Sequence, residues 1–331
     1  MAIENKSAQA SFSEKFHNAS FISEYGKLES LRAVRLNTGF SIVLVTIAGL
    51  EGSQTVIKDP RVLGNIQKVA AAIVASVRNC DVVGMADNKQ IVAILPETDY
   101  FGALSITRKL IAEMEQIKDR LETSVSFSHA TFPKDGKTYE ELLVTARKRA
   151  NERKESLWDK LGLEEKLFWE IVESLFSRGH HTFENSCFDA GMGFELTEFF
   201  MDQINDLIIK EVKRTPLRRG MAYFSGRKIT PSMPVAKSLA VADGLATKVY
   251  LAGECDGSSR EFRNAIPVNI DDPRLKDTFF SFFLNENSGY ALVCKENWGA
   301  TFSCYHTSDI SIVEGLINKF YYEYSLHEQQ A

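Results

Sequence analysis

Apolar positions along the chain switch repeatedly between two spacings. From residue 14 to residue 36 they recur at the helical period, with Arg32 and Arg35 near the end of the run. Phe40-Ser-Ile-Val-Leu-Val-Thr-Ile-Ala48 is then continuous and rich in β-branched residues, the pattern of a strand buried on both faces. Asp59-Pro60 suits a helix start, because proline at the first helical position gives up no needed hydrogen bond. Ile66, Val69, Ala70, Ile73, Val74 and Val77 carry that helix on. A short strand at Val82-Val83 follows, then a second over 90–95, closed by Pro96. A helix over 100–114, a strand over 123–131, the turn Pro133-Lys-Asp-Gly136 and a helix from Thr138 complete the series. Glu141, three residues after Thr138, predicts a capping box. The order of elements predicts an α/β domain that ends near residue 155.

The stretch 147–166 is polar and well supplied with helix formers, so it reads as a terminal helix running into a connector. Its charges are expected on a solvated face. Residues 1–160 are thus assigned to the first domain, connector included, and 161–331 to a second domain of α+β type. The second domain opens with helices at 165–176 and 194–213. Strand-like runs follow at 220–224, 247–252, 266–270 and 288–294. A helix over 308–324, capped by Ser308 or Thr307, closes it.

Composition narrows the function classes. With 331 residues, 44 % of them hydrophobic and 25 % charged, each half can bury its own core without disulfides or a structural metal. A net charge of −5 argues against broad electrostatic binding to nucleic acid or to an anionic membrane. The first ten residues are polar and lack the apolar run of a signal peptide. No stretch approaches the roughly 20 apolar residues that cross a bilayer. Cys80, Cys187, Cys255, Cys294 and Cys304 form no CxxC pair and are expected to be reduced thiols, mostly packed as small apolar groups. The expected compartment is the cytoplasm.

Several pieces of the first half, in their order and spacing, resemble the GGDEF family of diguanylate cyclases. They are Leu31-Arg-Ala-Val-Arg35, then Ile91-Val-Ala-Ile-Leu-Pro96 with Thr98-Asp99, then Thr123-Ser-Val-Ser126 with Ala130, Pro133, Asp135 and Gly136. Glu141-Leu-Leu143, Ala146 and Lys154 fit the last helix. The resemblance implies a GGDEF/nucleotide-cyclase-like mixed sheet with surrounding helices, akin to polymerase palms. Cyclising GTP into cyclic di-GMP needs carboxylates that hold divalent metal against the phosphates, and a backbone approach free of bulky side chains. Read through the spacing, the family's first metal aspartate falls on Thr46 and its companion on Ala48. The five-residue signature falls on Asp87, Asn88, Lys89, Gln90 and Ile91, so both glycines are replaced and the acidic pair has become Lys89 and Gln90. The guanine-recognising pair falls on Gln54 and Thr55, and a further aspartate on Leu63. The resemblance therefore implies a degenerate, non-catalytic domain with no metal and no cofactor. Neither Glu51 nor Asp87 is expected to substitute, and Asp87 is expected to point to the opposite face of its strand.

One element of the family's pattern is present. Arg78-Asn-Cys-Asp81 stands five residues before the signature, the RxxD spacing of the family's inhibitory site for cyclic di-GMP. A guanidinium pairs bidentately with phosphate or guanine acceptors, and a carboxylate accepts from guanine N–H groups. The structural alternative is that Arg78 ends a helix and Asp81 caps the turn into the next strand. Lys154, where the family has a phosphate-contacting lysine, equally reads as a surface residue.

The second half resembles, more distantly, the DICT type of sensory domain. The likeness rests on Met221-Ala-Tyr-Phe224, Val249-Tyr-Leu-Ala-Gly-Glu254, Tyr290-Ala-Leu-Val-Cys-Lys295, Phe302 and Thr307-Ser-Asp-Ile-Ser-Ile-Val313. It implies no ligand. His180 and His181 with Cys187 are metal-ligating residue types, though neighbouring histidines on a polar turn rarely serve together. Phe279-Phe-Ser-Phe-Phe283 fits core packing or a dimer interface better than a ligand pocket. Arg214, Arg218, Arg219, Arg227 and Lys228 read as a solvated basic loop unless an acidic partner docks there. No GxSxG, P-loop or nucleophile pair occurs in either half.

Three readings follow. The first is a non-catalytic bacterial regulatory protein, a degenerate GGDEF scaffold that binds a signalling protein and is coupled to a sensory domain. The second is a cyclic di-GMP receptor working through Arg78 and Asp81. The third is an enzyme with altered nucleotide chemistry. A homodimer formed through the charged connector stays open beside all three.

Overall fold

The computed structural model describes residues 15–48, 60–87, 90–117, 121, 123–154, 156–179, 192–255, 261–297 and 301–326. The chain divides into two compact units, 1–154 and 155–331. The first unit runs β1 (Phe16–His17), α1 (Ala19–Leu36), β2 (Phe40–Ile47), α2 (Pro60–Ser76), β3 (Val82–Asp87), β4 (Gln90–Pro96), α3 (Tyr100–Ile117), β5 (Val125–Phe132) and α4 (Tyr139–Lys154). Its five strands form a mixed sheet in the order β1-β3-β4-β2-β5, parallel between β1 and β3 and antiparallel elsewhere.

The continuous apolar run of β2 has a simple cause, since each of its faces meets a different helix layer. Val43, Val45 and Ile47 pack with Ile91, Ala93 and Leu95 of β4 against Ile66, Val69 and Ile73 of α2 and Leu110 and Met114 of α3. Phe40, Ile42 and Leu44 pack with Val92 and Ile94 against Ile22 and Ala33 of α1 and Tyr139, Leu142 and Ala146 of α4. On this second face α1 comes very close to α4. A Cβ added to Gly26 would stand 2.4 Å from the ring of Tyr139, so only glycine lets the helix lie there.

Local signals set the helix ends. Asn18 accepts from the Phe21 N–H and caps α1, and Asn37 closes it in the left-handed conformation at φ 52°. At the start of α4 the Glu141 N–H reaches the Thr138 hydroxyl at 3.2 Å, while the Glu141 carboxylate accepts from the Lys137 N–H at 2.7 Å. The expected capping box is therefore present with its return bond displaced by one residue. The expected terminal helix running on through 166 is interrupted. α4 ends at Lys154, and residues 157–160 form a separate short helix, α5 (Leu157–Lys160), capped by Ser156.

The second unit continues with α6 (Phe168–Gly179), β6 (Met192–Thr197), α7 (Glu198–Arg214), β7 (Gly220–Ile229), α8 (Pro234–Ala240), β8 (Thr247–Cys255), β9 (Ile266–Asn269), β10 (Thr278–Asn285), β11 (Gly289–Glu296), β12 (Thr301–Thr307) and α9 (Ile310–Glu323). Its seven strands run in the order β6-β12-β11-β10-β7-β8-β9, parallel across β7-β8-β9 and antiparallel across the rest. Two expectations change here, and a third is met. The helix expected from residue 194 starts at Glu198, because 192–197 pair with β12 as an edge strand. α9 is capped by Asp309, which accepts from the Ile312 N–H at 3.1 Å, rather than by Ser308 or Thr307. The Phe279–Phe283 run is the middle strand of the sheet, with Phe280 and Phe282 buried against Phe168 and Phe320. It is core packing, not a ligand pocket. Arg227, one of the five basic positions, pairs with Glu296 and the Lys276 carbonyl, and Arg214 pairs with Glu211.

Cys294 and Cys304 face each other in register across β11 and β12, fully buried, and Cys80 is exposed. The hydrogen bond with Cys304, together with burial, pushes the Cys294 thiol up, which keeps it protonated and inert. His180, His181 and Cys187 lie outside the described residues. Among the described residues, no helix is long and apolar enough to cross a membrane, and no group of three or more metal-ligating side chains comes together.

Candidate functional site at the signature hairpin

The strands β2 and β4 bring Thr46 directly opposite Gln90, and β3 brings Asp87 opposite Gln90 on the other side. Side chains link these positions into one polar chain. Gln90 Nε2 donates to Thr46 Oγ1 at 3.2 Å, Arg147 Nε donates to Gln90 Oε1 at 2.9 Å, and Arg147 Nη2 donates to Asp87 Oδ2 at 2.8 Å. Arg147 comes from α4, whose buried stripe of Leu142, Leu143, Ala146 and Ala150 fixes the helix on this face of the sheet. The pair is half-exposed at its charged ends, with 39 % of Arg147 and 43 % of Asp87 accessible.

Asp87 does not point away from the other signature positions. A register shift between Met85 and Asp87 breaks the strict alternation of β3, so Asp87 and Gln90 share one guanidinium. Ile91 faces the opposite side and is wholly buried in the α2/α3 core. Leu63 is 45 % exposed on α2. Asn88 and Lys89, like Glu51, Gln54 and Thr55, lie outside the described residues, and so does the side chain of Lys154.

Could this donor set hold a divalent cation? It offers a hydroxyl, a neutral amide and a carboxylate already neutralised by a guanidinium. Hard cations such as Mg²⁺ are held by oxygen ligands with net negative charge, and a guanidinium within bonding distance of two of the three groups opposes one. The residues described here do not fit a catalytic metal.

Arg147 is the member of this polar chain that the sequence does not reveal. It sits in the charge run from 147 to 160, which reads as solvated. The available signal was its place beside the buried Ala146, four residues after Leu143, which turns it toward the sheet edge rather than fully outward.

The residues Arg78 and Asp81 stand together at the turn between α2 and β3. The Arg78 N–H donates to Asp81 Oδ2 at 2.7 Å, the Asp81 N–H donates to the Arg78 carbonyl at 3.2 Å, and the Cys80 thiol lies 3.8 Å from Oδ1. Burial pushes the Asp81 carboxyl up, against the opposing pull of the Arg78 N–H and guanidinium. The Arg78 side chain itself is exposed. Asp81 therefore closes the turn with its own carboxylate, while Arg78 lies two residues beyond the end of α2 at Ser76.

Two further anchors of the sequence pattern are scaffold. Asp99 Oδ1 accepts from the Gly102 N–H at 2.9 Å at the start of α3, and the Thr98 carbonyl accepts from the buried Ser41 hydroxyl at 2.8 Å. Asp135 is 5 % exposed, receives two bonds from Arg149 at 2.7 and 2.8 Å, and accepts from the Thr131 N–H at 2.8 Å.

No family model matches the chain, and no curated protein matches it. Solved structures similar to it are GGDEF domains. The GGDEF domain of YfiN (TpbB) from Pseudomonas aeruginosa is 18 % identical at a TM-score of 0.37, with 42 % of this chain and 91 % of that chain covered. The diguanylate cyclase SiaD from the same organism, solved in complex with its activator SiaC, is 14 % identical at 0.38, covering 42 % and 55 %. The GGDEF domain of DgcB from Caulobacter crescentus, in complex with c-di-GMP, is 12 % identical at 0.37, covering 42 % and 84 %.

Proposed function

We propose that the first unit is a non-enzymatic member of a signalling protein, a frame that binds another protein instead of cyclising GTP. The observation that carries this reading is the guanidinium of Arg147 between Gln90 and Asp87. By the sequence resemblance, metal ions would have to sit beside positions 46 and 90. A guanidinium bonded there to Gln90 and Asp87 opposes a divalent cation at those positions, and without one the charge on the phosphates would go unneutralised in phosphoryl transfer. The second unit is proposed as the sensory or interaction half of the same regulator, acting in the cytoplasm. The test is incubation of the full chain with GTP and Mg²⁺ or Mn²⁺, read by chromatography. An unchanged nucleotide pool is expected, and formation of any linear or cyclic dinucleotide overturns the reading.

A second reading is a cyclic di-GMP receptor through Arg78 and Asp81. It is supported by the exposed guanidinium of Arg78 beside a carboxylate at the RxxD spacing. It is weakened by the engagement of that carboxylate in its own turn. Calorimetric titration with cyclic di-GMP separates the two. Micromolar binding abolished by Arg78→Ala establishes the receptor, and a flat titration leaves Asp81 as a turn cap.

A further inference from the structure

The outward face of α1 repeats with the spacing of a coiled-coil seam. Phe21, Glu24, Leu28, Leu31 and Arg35 follow one another at steps of three, four, three and four, the a and d positions of a heptad. The opposite face is used up inside the unit: Ile22, Gly26, Glu29, Ser30 and Ala33 are buried against the sheet and α4. The seam is therefore surplus to the fold. It is also unusually apolar for a surface, with Leu28 62 % and Leu31 70 % exposed, flanked by Val34 at 66 %.

The charges on this seam choose a partner and an orientation. Glu24 and Arg35 flank the two leucines at equal distances, so one two-fold axis midway between Leu28 and Leu31 serves both pairs. About that axis an antiparallel copy sets Leu28 against Leu31 of the second copy and Glu24 against Arg35 of the second copy. A parallel copy would oppose Glu24 with Glu24 and Arg35 with Arg35. Among the described residues Glu24 is bonded only on its flank, by Lys27 at 3.0 Å, and Arg35 makes no ion pair. An isologous contact needs a surface that complements itself, and this one does.

We propose that α1 is a homodimer interface, formed by antiparallel pairing with a second copy of this chain. The inference is independent of whether the signature hairpin is catalytic. Two helices of 18 residues are about 27 Å long and bury less than the roughly 1,200 Å² of a standard interface, so the dimer is weak, on the order of 10 µM.

Sedimentation velocity on the full chain across roughly 2 to 200 µM tests it, a range that brackets the expected constant. The wild type should pass from monomer to dimer, and Leu31→Glu should remain monomeric. Glu24→Arg and Arg35→Glu should each weaken association by about tenfold, and the double variant should recover it, since only a reciprocal pair restores opposite charges. Circular dichroism confirms that each variant is folded; all these positions are exposed. A chain that stays monomeric at every concentration overturns the proposal, because the seam then serves some other occupant. A dimer indifferent to Leu31→Glu, or single charge reversals without rescue by the double variant, overturns it as well.

Discussion

Arg147 and Arg149 lie two residues apart on α4, the first pairing with Asp87 at the end of β3 and the second with Asp135 in the turn after β5, yet the two pairs do different work. Arg149 grips a carboxylate that is almost inaccessible, through two bonds, and the same carboxylate also accepts a backbone N–H. Arg147 reaches a half-exposed carboxylate through one bond and shares itself with an amide. Depth and bond number make the first pair a brace for the turn after β5. The second lies at the half-exposed signature hairpin, held to its carboxylate by a single bond.

The largest expected effect lies at the brace. Asp135→Asn leaves Arg149 facing a neutral partner near the core and should cost about 2–4 kcal/mol in denaturant unfolding of the first unit. A cost below 0.5 kcal/mol, the level of an ordinary surface change, would erase the distinction.

Acid should reveal the same difference. Burial alone would push the Asp135 carboxyl up, but the Arg149 bonds, the Thr131 N–H and the Arg149 and Lys134 charges together hold it below its ordinary 3.8. A carboxyl depressed in the folded state contributes stability that is complete above pH 4 and disappears as pH falls through the folded value. The gap between wild type and Asp135→Asn should therefore narrow as pH drops below 4. A gap that stays constant to pH 2 would show that the charge is not the source.

The smallest effect belongs to the Arg147 pair. Arg147→Ala should change stability by less than about 1 kcal/mol, as half-exposed single-bond pairs do. It should also leave the chain inactive toward GTP, because removing the guanidinium restores no carboxylate. Appearance of cyclase activity in Arg147→Ala would mean that the arginine alone was masking a competent site.

The sequence made the first unit legible because its signals were redundant. The β2 run, the Pro60 helix start and Pro96 each marked one element, and the two-sided burial of β2 follows from its unbroken apolar pattern. The second unit was less legible. Residues 194–197 read as part of a helix because the following seventeen residues are strongly helical and the strand's partner, β12, is distant in sequence. The same dependence on distant partners hid the strand at Phe279–Phe283, though not its core packing, because its place in the middle of the sheet comes from β7 and β11. At the site, the spacing of the resemblance points to Thr46 and Gln90, but nothing in the spacing points to the Arg147 contact. Which residue of a charge run turns inward is decided by how far α4 is rotated on the sheet, and the shifted register of β3 likewise appears only in three dimensions.

The pairing of β6 with β12 has its own consequence for how the second unit comes into being. The first strand made by the ribosome waits for the last one, so the edge of the nascent sheet stays open until Thr307 has left the exit tunnel. A chain cut short anywhere before Thr301 would leave β6 with a bare ladder of N–H and C=O groups, the template on which sticky, misassembled chains grow.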